Sequence, residues 1–318
     1  MANILLTKYC NRNCKYCFAQ AKLTGAADDN NINMENFEQY LAMLKRSRML
    51  VVALLGGETS LHPRFTEILD KCQEDDYFKV IKVFTNGLMP DHVIEHLQTF
   101  PRDKIQIALN IHPEEDYTPG QWQRITKVLT VLNDKAGLGY NIYKTGNHFE
   151  FLLKLYLEYG LFPHVRLGLT QPIMGVSNAH LAVEDFPAIG REIVNIVHEF
   201  TSKGLFLSFD CGFPFCMFTL DQHKELLDCA IKFRSLCSPI IDVDPKLNAW
   251  RCFPLSQVDN IQMNDFETRM DMVRYYGEKL KPYRQFGIYD KCVNCNYKKQ
   301  ELCCGGCLGR VMRAFNRN

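Results

Sequence analysis

Cys10, Cys14 and Cys17 stand in a C-x3-C-x2-C spacing just after the short apolar run Ile4-Leu5-Leu6. Three soft thiolates on one tight loop can hold three irons of a [4Fe–4S] cube, because cysteine thiolate is the ligand such clusters select. A cube held by three cysteines leaves its fourth iron open, and an open iron is a binding position as well as an electron store. Zinc is the competing occupant. Structural zinc takes four ligands, however, and this loop lacks the paired C-x2-C or His partners of a zinc ribbon. A disulfide framework fits less well: 14 Cys in 318 residues is half the level of disulfide scaffolds, about 8–10%, and no secretory apolar segment precedes Cys10.

Two further groups of residues could do chemistry. Gly56-Gly57-Glu58 closes an apolar run; two glycines let backbone approach a ligand closely, and a carboxylate suits an ammonium. The plain alternative is a Gly-Gly turn with an exposed Glu. Near the other end, Cys292, Cys295, Cys303, Cys304 and Cys307 lie within 16 residues, with Cys211, Cys216 and Cys252 upstream, the last in Trp250-Arg251-Cys252-Phe253-Pro254. No ordinary core needs that density. Three cysteines fall in the first 17 residues, Cys72 alone lies between there and residue 210, and ten follow from Cys211. The chain therefore divides into a barrel-like body, residues 1–205, and a cysteine-rich tail, 206–318. Cys72, Cys229 and Cys237 lie in apparent helices and read as small buried hydrophobes.

The elements that must position these groups alternate in type. Met34–Ser47 carries Met34, Phe37, Leu41 and Leu44 at helical spacing, with Glu35 in the first turn and Lys45 and Arg46 in the last. Met49–Leu55 is a continuous apolar run of the kind buried on both faces of a parallel sheet. A helix from Pro63 through Cys72 follows. Strands over Lys79–Phe84, Lys104–Ile111, Gly139–Lys144 and Val165–Leu169 alternate with helices from Asp91, over Pro119–Asn133, up to Tyr159 and over Asp185–Lys203. With the opening strand at Ile4 these make six βα units. The fold class is α/β: a partial (β/α)6 barrel, or else an open doubly wound sheet, with its site at the C-terminal strand ends. Asn86, Asn110, His112 and Gln171 each follow such an end. Asn110 and His112 point the same way, with Ile111 opposite.

The cysteine loop, with Tyr16 directly before its third cysteine and Gly56-Gly57-Glu58 one strand later, resembles the radical S-adenosylmethionine (radical SAM) superfamily. The resemblance implies a six-stranded partial barrel whose open iron chelates the amino and carboxylate groups of SAM. The reduced cluster would cleave SAM to methionine and a 5′-deoxyadenosyl radical. It also implies that groups around Gly56, Gly57 and Glu58 hold the amino group of SAM, that Tyr16 lies near adenine, and that Asn86 and Asn110 lie near the SAM site and its ribose. Gln171, with Lys144 and Arg166, would meet the carboxylate of SAM or the substrate. Ion pairing is the alternative for the two cations, and a structural role for His112.

The tail resembles the SPASM/twitch extension, which carries one or two auxiliary [4Fe–4S] clusters. Cys292, Cys295, Cys303 and Cys307 follow its C-x2-C-x5-C-x3-C pattern with two extra residues in the middle gap. Two departures stand out: no further cysteine follows the run, and Leu247 replaces the glycine expected before Cys252. One arrangement carried over from the family puts Cys211, Cys216, Cys252 and Cys307 on a first cluster. Cys292, Cys295 and Cys303 or Cys304 then hold a second, its fourth ligand open. A single twitch-like cluster and a zinc knuckle of Cys292, Cys295, Cys304 and Cys307 are the alternatives. No catalytic acid or base is assigned; Cys303 or Cys304 is a candidate hydrogen donor.

Composition sets the remaining bounds. Hydrophobic residues make up 47% and charged residues 23%, and 37 basic residues face 36 acidic ones. Near neutrality gives no case for nucleic acid or a membrane surface, and no apolar run reaches a membrane span. Thiols ready for metal imply a reducing compartment, the cytoplasm. Relatives of the resembled type mostly modify peptides. The leading expectation is therefore oxidation or crosslinking of a ribosomally made peptide, with an electron donor such as flavodoxin or ferredoxin. Only nine residues precede Cys10, which leaves recognition of a leader peptide to a separate protein or to the barrel mouth. A small-molecule alcohol or aminocyclitol is the second expectation, and a non-enzymatic metal-binding partner protein the third.

Overall fold

A computed structural model of the protein describes residues 2–23, 28–231, 235–237 and 240–315. Strands β1 (Ala2–Leu5), β2 (Val51–Leu55), β3 (Val80–Thr85), β4 (Ile105–Asn110), β5 (Ala136–Ile142), β6 (His164–Leu169) and β7 (Phe206–Phe209) pair in sequence order, all parallel. The crossovers are α1 (Met34–Arg46), α2 (Phe65–Glu74), α3 (Asp91–Thr99), α4 (Pro119–Val131), α5 (Glu150–Tyr159) and α6 (Phe186–Ser202). After α7 (Leu220–Asp228), β8 (Ile241–Val243) returns to pair parallel with β1, and β9 (Asn248–Trp250) and β10 (Ile261–Gln262) extend that edge antiparallel. The sheet is ten strands in the order β10-β9-β8-β1-β2-β3-β4-β5-β6-β7, and it does not close. Helices α8 (Arg269–Leu280), α9 (Asn296–Lys299) and α10 (Leu308–Phe315) complete the tail.

All six expected βα units are present, and two further parallel strands, β7 and β8, are added. The division at residue 205 does not coincide with an edge of the sheet, because β7 to β10 all come from beyond it. Strand β5 begins at Ala136, three residues before the expected Gly139. Gly137 and Gly139 conceal it in the sequence. The reason for Gly139 is a crowded neighbour: a Cβ there would stand 2.9 Å from Asn110 Oδ1 and 3.2 Å from an Arg166 nitrogen.

Local chemistry agrees with each boundary. Asn33 caps α1 by accepting from Asn36 N–H, and Thr118 with Gln121 forms a capping box ahead of Pro119 on α4. Gly160 ends α5 in the left-handed region, with φ of 62°. Burial alternates along β3 and β4. Ile81, Val83, Ile105, Ile107 and Leu109 face the helix layer in the main core, while Lys82, Phe84, Gln106 and Asn110 face the concave side. The sheet therefore presents an apolar outer face for packing and a largely polar inner face for a ligand. No helix among the described residues is long and apolar enough to cross a membrane.

Candidate functional site

Three strand ends converge on the cysteine loop. Beyond β1 and β2 the two chains continue side by side: Gly57 N–H donates to Thr7 O at 2.9 Å and Glu58 N–H to Tyr9 O at 2.8 Å. The approach is so close that a Cβ on Gly57 would fall 2.2 Å from Tyr9 O and 2.9 Å from Cys10 Cβ. Glycine is required here by contact with the loop, and the turn clamps the first cysteine in place.

Glu58 is completely buried. Its Oε1 accepts from Ser60 N–H and Oγ and from Thr85 Oγ1, and its Oε2 accepts from Asn86 N–H at 2.7 Å. Burial raises its pKa, against the pull of these donors. In this arrangement the carboxylate ties the end of β2 to the end of β3. Asn86, held this way, extends Nδ2 to Asn11 Oδ1 at 3.0 Å and towards Cys10 Sγ at 3.7 Å. Arg12 N–H also donates to Cys10 Sγ at 3.4 Å.

Cys10, Cys14 and Cys17 are electrostatic neighbours, and burial first, then that proximity, pushes Cys17 up to about 12. Grouped thiols with N–H donors aimed at their sulfurs are what an iron–sulfur cube requires, and loading displaces their protons. These residues fit the cluster that their spacing suggests. Among the described residues no three His, Cys, Asp or Glu side chains close on one metal-ion position. A cube spreads its thiolates over separate irons, whereas zinc gathers four on one centre.

Tyr16 faces the other side of the loop. Its ring stacks on His112 (centroids 4.6 Å) and Tyr143 (5.0 Å), and His112 also meets Tyr140 at 4.7 Å. Both nitrogens of His112 are buried without a hydrogen bond, and the Asp116 carboxylate stands 3.5 Å from Nδ1. Burial, together with Arg12, Lys144 and Lys15, drives its pKa down to about 3, so the ring is neutral at pH 7. Arg12 lies over Tyr117 at 4.2 Å and Lys15 over Tyr143 at 5.1 Å. Sequence reasoning did not single out Tyr143 or Tyr117 for this aromatic wall; the position of Tyr143 one residue past β5 was the available signal.

Asn110 and Gln171 lead elsewhere. Asn110 Oδ1 accepts from Arg166 Nη2 at 2.7 Å, and Arg166 Nη1 pairs with Asp210 on the strand-end beyond β7. The result is a polar bar across β4, β6 and β7. Gln171 is buried, and its Oε1 accepts from Arg310 Nε of α10 at 2.6 Å. Its side chain is committed to the tail rather than to the cysteine loop.

The tail packs directly on this site. Phe18, next to Cys17, touches Phe253 (4.8 Å), and Phe253 touches Trp250 (5.7 Å), so apolar rings fill the space between Cys17 and the segment around Cys252. The expected tail cysteines separate into two neighbourhoods. Cys252 has Cys307, Cys237 and Cys211 beside it, and Cys216 has Cys303, Cys292 and Cys295. Cys304 borders Cys237 and Cys303. Cys72 and Cys229 are buried as expected. Cys237 corrects the expectation: it lies outside any helix and takes a hydrogen bond from Arg251 Nη2 at 3.4 Å.

Residues 4–138 match the family described as the Radical SAM superfamily. Along the whole chain, the sequence is 22% identical to the antilisterial bacteriocin subtilosin biosynthesis protein AlbA of Bacillus subtilis (strain 168), covering 68% of that protein. Streptococcus suis SuiB, solved with its precursor peptide SuiA, superposes with a TM-score of 0.69 at 19% identity, over 98% of this chain and 72% of SuiB. Native anSMEcpe, solved with AdoMet and the Kp18Cys peptide, gives 0.64 at 16% identity, over 96% of this chain and 88% of that one. These structural likenesses establish the fold, including the cysteine-rich tail.

Proposed function

The chain is an enzyme of the radical SAM superfamily, and from that premise we propose that it oxidises or crosslinks a ribosomally made peptide by removing hydrogen from a C–H bond. Cluster and SAM, when bound, supply a 5′-deoxyadenosyl radical. The remaining work falls to residues of this chain. Cys10, Cys14 and Cys17 would hold the cluster, with Asn86 Nδ2 and Arg12 N–H directed at Cys10 Sγ. Gly56 and Gly57 bring the β2 turn against the cysteine loop, and Glu58 holds that turn to Asn86. Tyr16, Tyr143 and His112 form an apolar wall that keeps water and stray hydrogens from the reacting centre. The bar of Asn110, Arg166 and Asp210 offers polar anchors on the concave face.

The observation that carries the peptide reading is similarity to AlbA along the whole of this chain, tail included, over 68% of AlbA. The complexes of SuiB with SuiA and of anSMEcpe with a peptide support it. Auxiliary clusters in the tail would carry electrons to or from the substrate radical. The enzyme would work in the cytoplasm, with flavodoxin or ferredoxin as reductant.

The test is anaerobic incubation of iron-loaded protein with SAM, dithionite and short peptides encoded beside its gene, read by mass spectrometry. We expect 5′-deoxyadenosine, and a peptide that has lost two hydrogens for each bond formed. The Cys10→Ala/Cys14→Ala/Cys17→Ala variant should yield neither. If the loaded wild type forms 5′-deoxyadenosine only with alcohols or sugars, the peptide reading fails.

A further inference from the structure

Away from the cysteine loop, near the starts of the strands, the concave face carries positive charge over a gap. Lys82 of β3 pairs in register with Gln106 of β4, and Arg166 of β6 with Gly139 of β5. Side chains alternate along a strand, so Lys82, Gln106, Ala108, Gly137, His164 and Arg166 share the concave side. Ala108 and Gly137 pair at the middle of that row and have almost no side chain. The longer cations from β3 and β6 therefore border an unfilled space. It measures about 40 Å³, room for about three water-sized groups, and it opens beside the exposed Gln106. Gln106 lies four residues before Asn110, about 13 Å along the strand. The cavity is thus at the N-terminal mouth of the barrel, beneath the bar of Asn110, Arg166 and Asp210.

Charges around the cavity do not balance. Arg166 is paired, through Nη1 with Asp210 and through Nη2 with Asn110 Oδ1 at 2.7 Å. His164 Nε2 meets Ser208 Oγ at 2.8 Å; burial, then Lys82 and Arg166, lowers its pKa, so the ring is neutral at pH 7. Lys135 also borders the space, but its ammonium donates to Leu97 O at 3.2 Å and Gln98 O at 2.7 Å at the end of α3. Lys82 has no hydrogen bond and no ion pair among the described residues; its ammonium has the ring of Phe84, 5.2 Å away. Burial first, then Arg166, lowers its pKa, and Asp210 opposes them. A charge taken out of water needs a partner. A half-buried ammonium repelled by a guanidinium and left without an acceptor is a binding position for an anion.

We propose that this cavity binds a small carboxylate, held by the Lys82 ammonium with Gln106 beside it. Charge selects the class. Lys82 and Arg166 against Asp210 leave one positive charge, which a monoanion balances and a phosphate dianion exceeds. Size agrees, since a carboxylate group occupies a few water-sized positions and a nucleotide does not fit. The bound anion cancels the repulsion between Lys82 and Arg166 and so steadies Arg166 against Asn110 and Asp210 on the far side. The site lies apart from the cysteine loop and uses none of its residues, so it stands whether or not the substrate is a peptide.

The experiment titrates iron-loaded protein, without SAM, with sodium acetate against sodium chloride at equal ionic strength. Saturation-transfer NMR and the thermal midpoint are read anaerobically. Acetate should bind saturably in the millimolar range and raise the midpoint, and chloride should do neither. Lys82→Met keeps the apolar stem and removes the charge; it should weaken acetate binding at least about tenfold with iron content unchanged. Lys224→Met, an exposed lysine on α7, should leave binding as it is. Gln106→Glu supplies a carboxylate in register with Lys82, so it should raise the midpoint and abolish the effect of acetate. Gln106 is exposed, and this variant decides by itself if Lys82→Met does not fold. No saturable acetate binding, or binding unchanged in Lys82→Met or in Gln106→Glu, overturns the proposal. Phosphate binding tighter than acetate overturns the carboxylate assignment.

Discussion

Replacing Gly57 with Ala adds one methyl group where the cysteine loop and the β2 turn touch. The new Cβ would stand 2.2 Å from Tyr9 O, 2.5 Å from Tyr9 C and 2.9 Å from Cys10 Cβ. Ordinary carbon contacts lie at about 3.5 Å, so loop and turn must part by about 1 Å. The nearest atoms are backbone, and no rotamer change can relieve them. A displacement of that size breaks the bonds from Gly57 N–H to Thr7 O (2.9 Å) and from Glu58 N–H to Tyr9 O (2.8 Å). Each lost bond costs about 1 kcal/mol net, and more where the donor stays buried, so the total is about 3–5 kcal/mol. That is a large share of the ~5–15 kcal/mol stability of a typical domain. The loop that carries Cys10 moves with it. Anaerobic urea unfolding and iron content read both effects. Gly56→Ala should do less, since its Cβ would be 3.0 Å from Thr7 O, and Gly120→Ala should do no harm, having nothing within 4 Å. If Gly57→Ala matches Gly120→Ala in midpoint and in iron, the clamp between turn and loop is not what positions Cys10.

His112 gives a pH-dependent test. An unfolded His takes up a proton near pH 6.5, whereas the buried ring resists until about pH 3. Stability is therefore lost as pH falls from 6.5 towards 3. His112→Phe keeps the stacks on Tyr16 and Tyr140 and loses no hydrogen bond, so it should be neutral at pH 7 within about 1 kcal/mol and should flatten the acid loss; identical acid slopes in urea unfolding would refute this. Arg310→Ala removes bonds to Gln171 Oε1 (2.6 Å), Leu181 O (2.8 Å) and Thr170 O (3.2 Å). It should destabilise the tail by about 3 kcal/mol and lower tail iron while sparing the Cys10 loop, as limited proteolysis and iron analysis of the fragments would reveal.

Much of the body was legible in the sequence because its signals are local. Helical spacing in α1, the Thr118-Pro119 start of α4 and the apolar run of β2 each depend on residues within one or two turns of chain. The cysteine loop was legible for the same reason. Glu58 was legible as a group of interest but not in its orientation, which depends on donors from Ser60, Thr85 and Asn86. Strand β5 was misplaced because Gly139 answers to Asn110 and Arg166, and Gly137 to His164, on neighbouring strands.

What the sequence alone determined is the inventory and the local frame: three thiols on one tight loop, a Gly-Gly-Glu turn one strand later, alternating strands and helices, and a reserve of cysteines in the tail. Spacing of a few residues limits what one loop can ligate, so that much needs no third dimension. Only the tertiary structure decided which distant thiols meet. Cys211 and Cys216 part because Gln171 and Tyr297 draw their flanking residues to different places. Cys237 comes beside Cys252 because Arg251, the residue before it, donates to the Cys237 thiol. Those pairings arise from the return of β8 to β1 and the packing of α10 on Gln171. Sequence separation carries no information about contacts that such closures create.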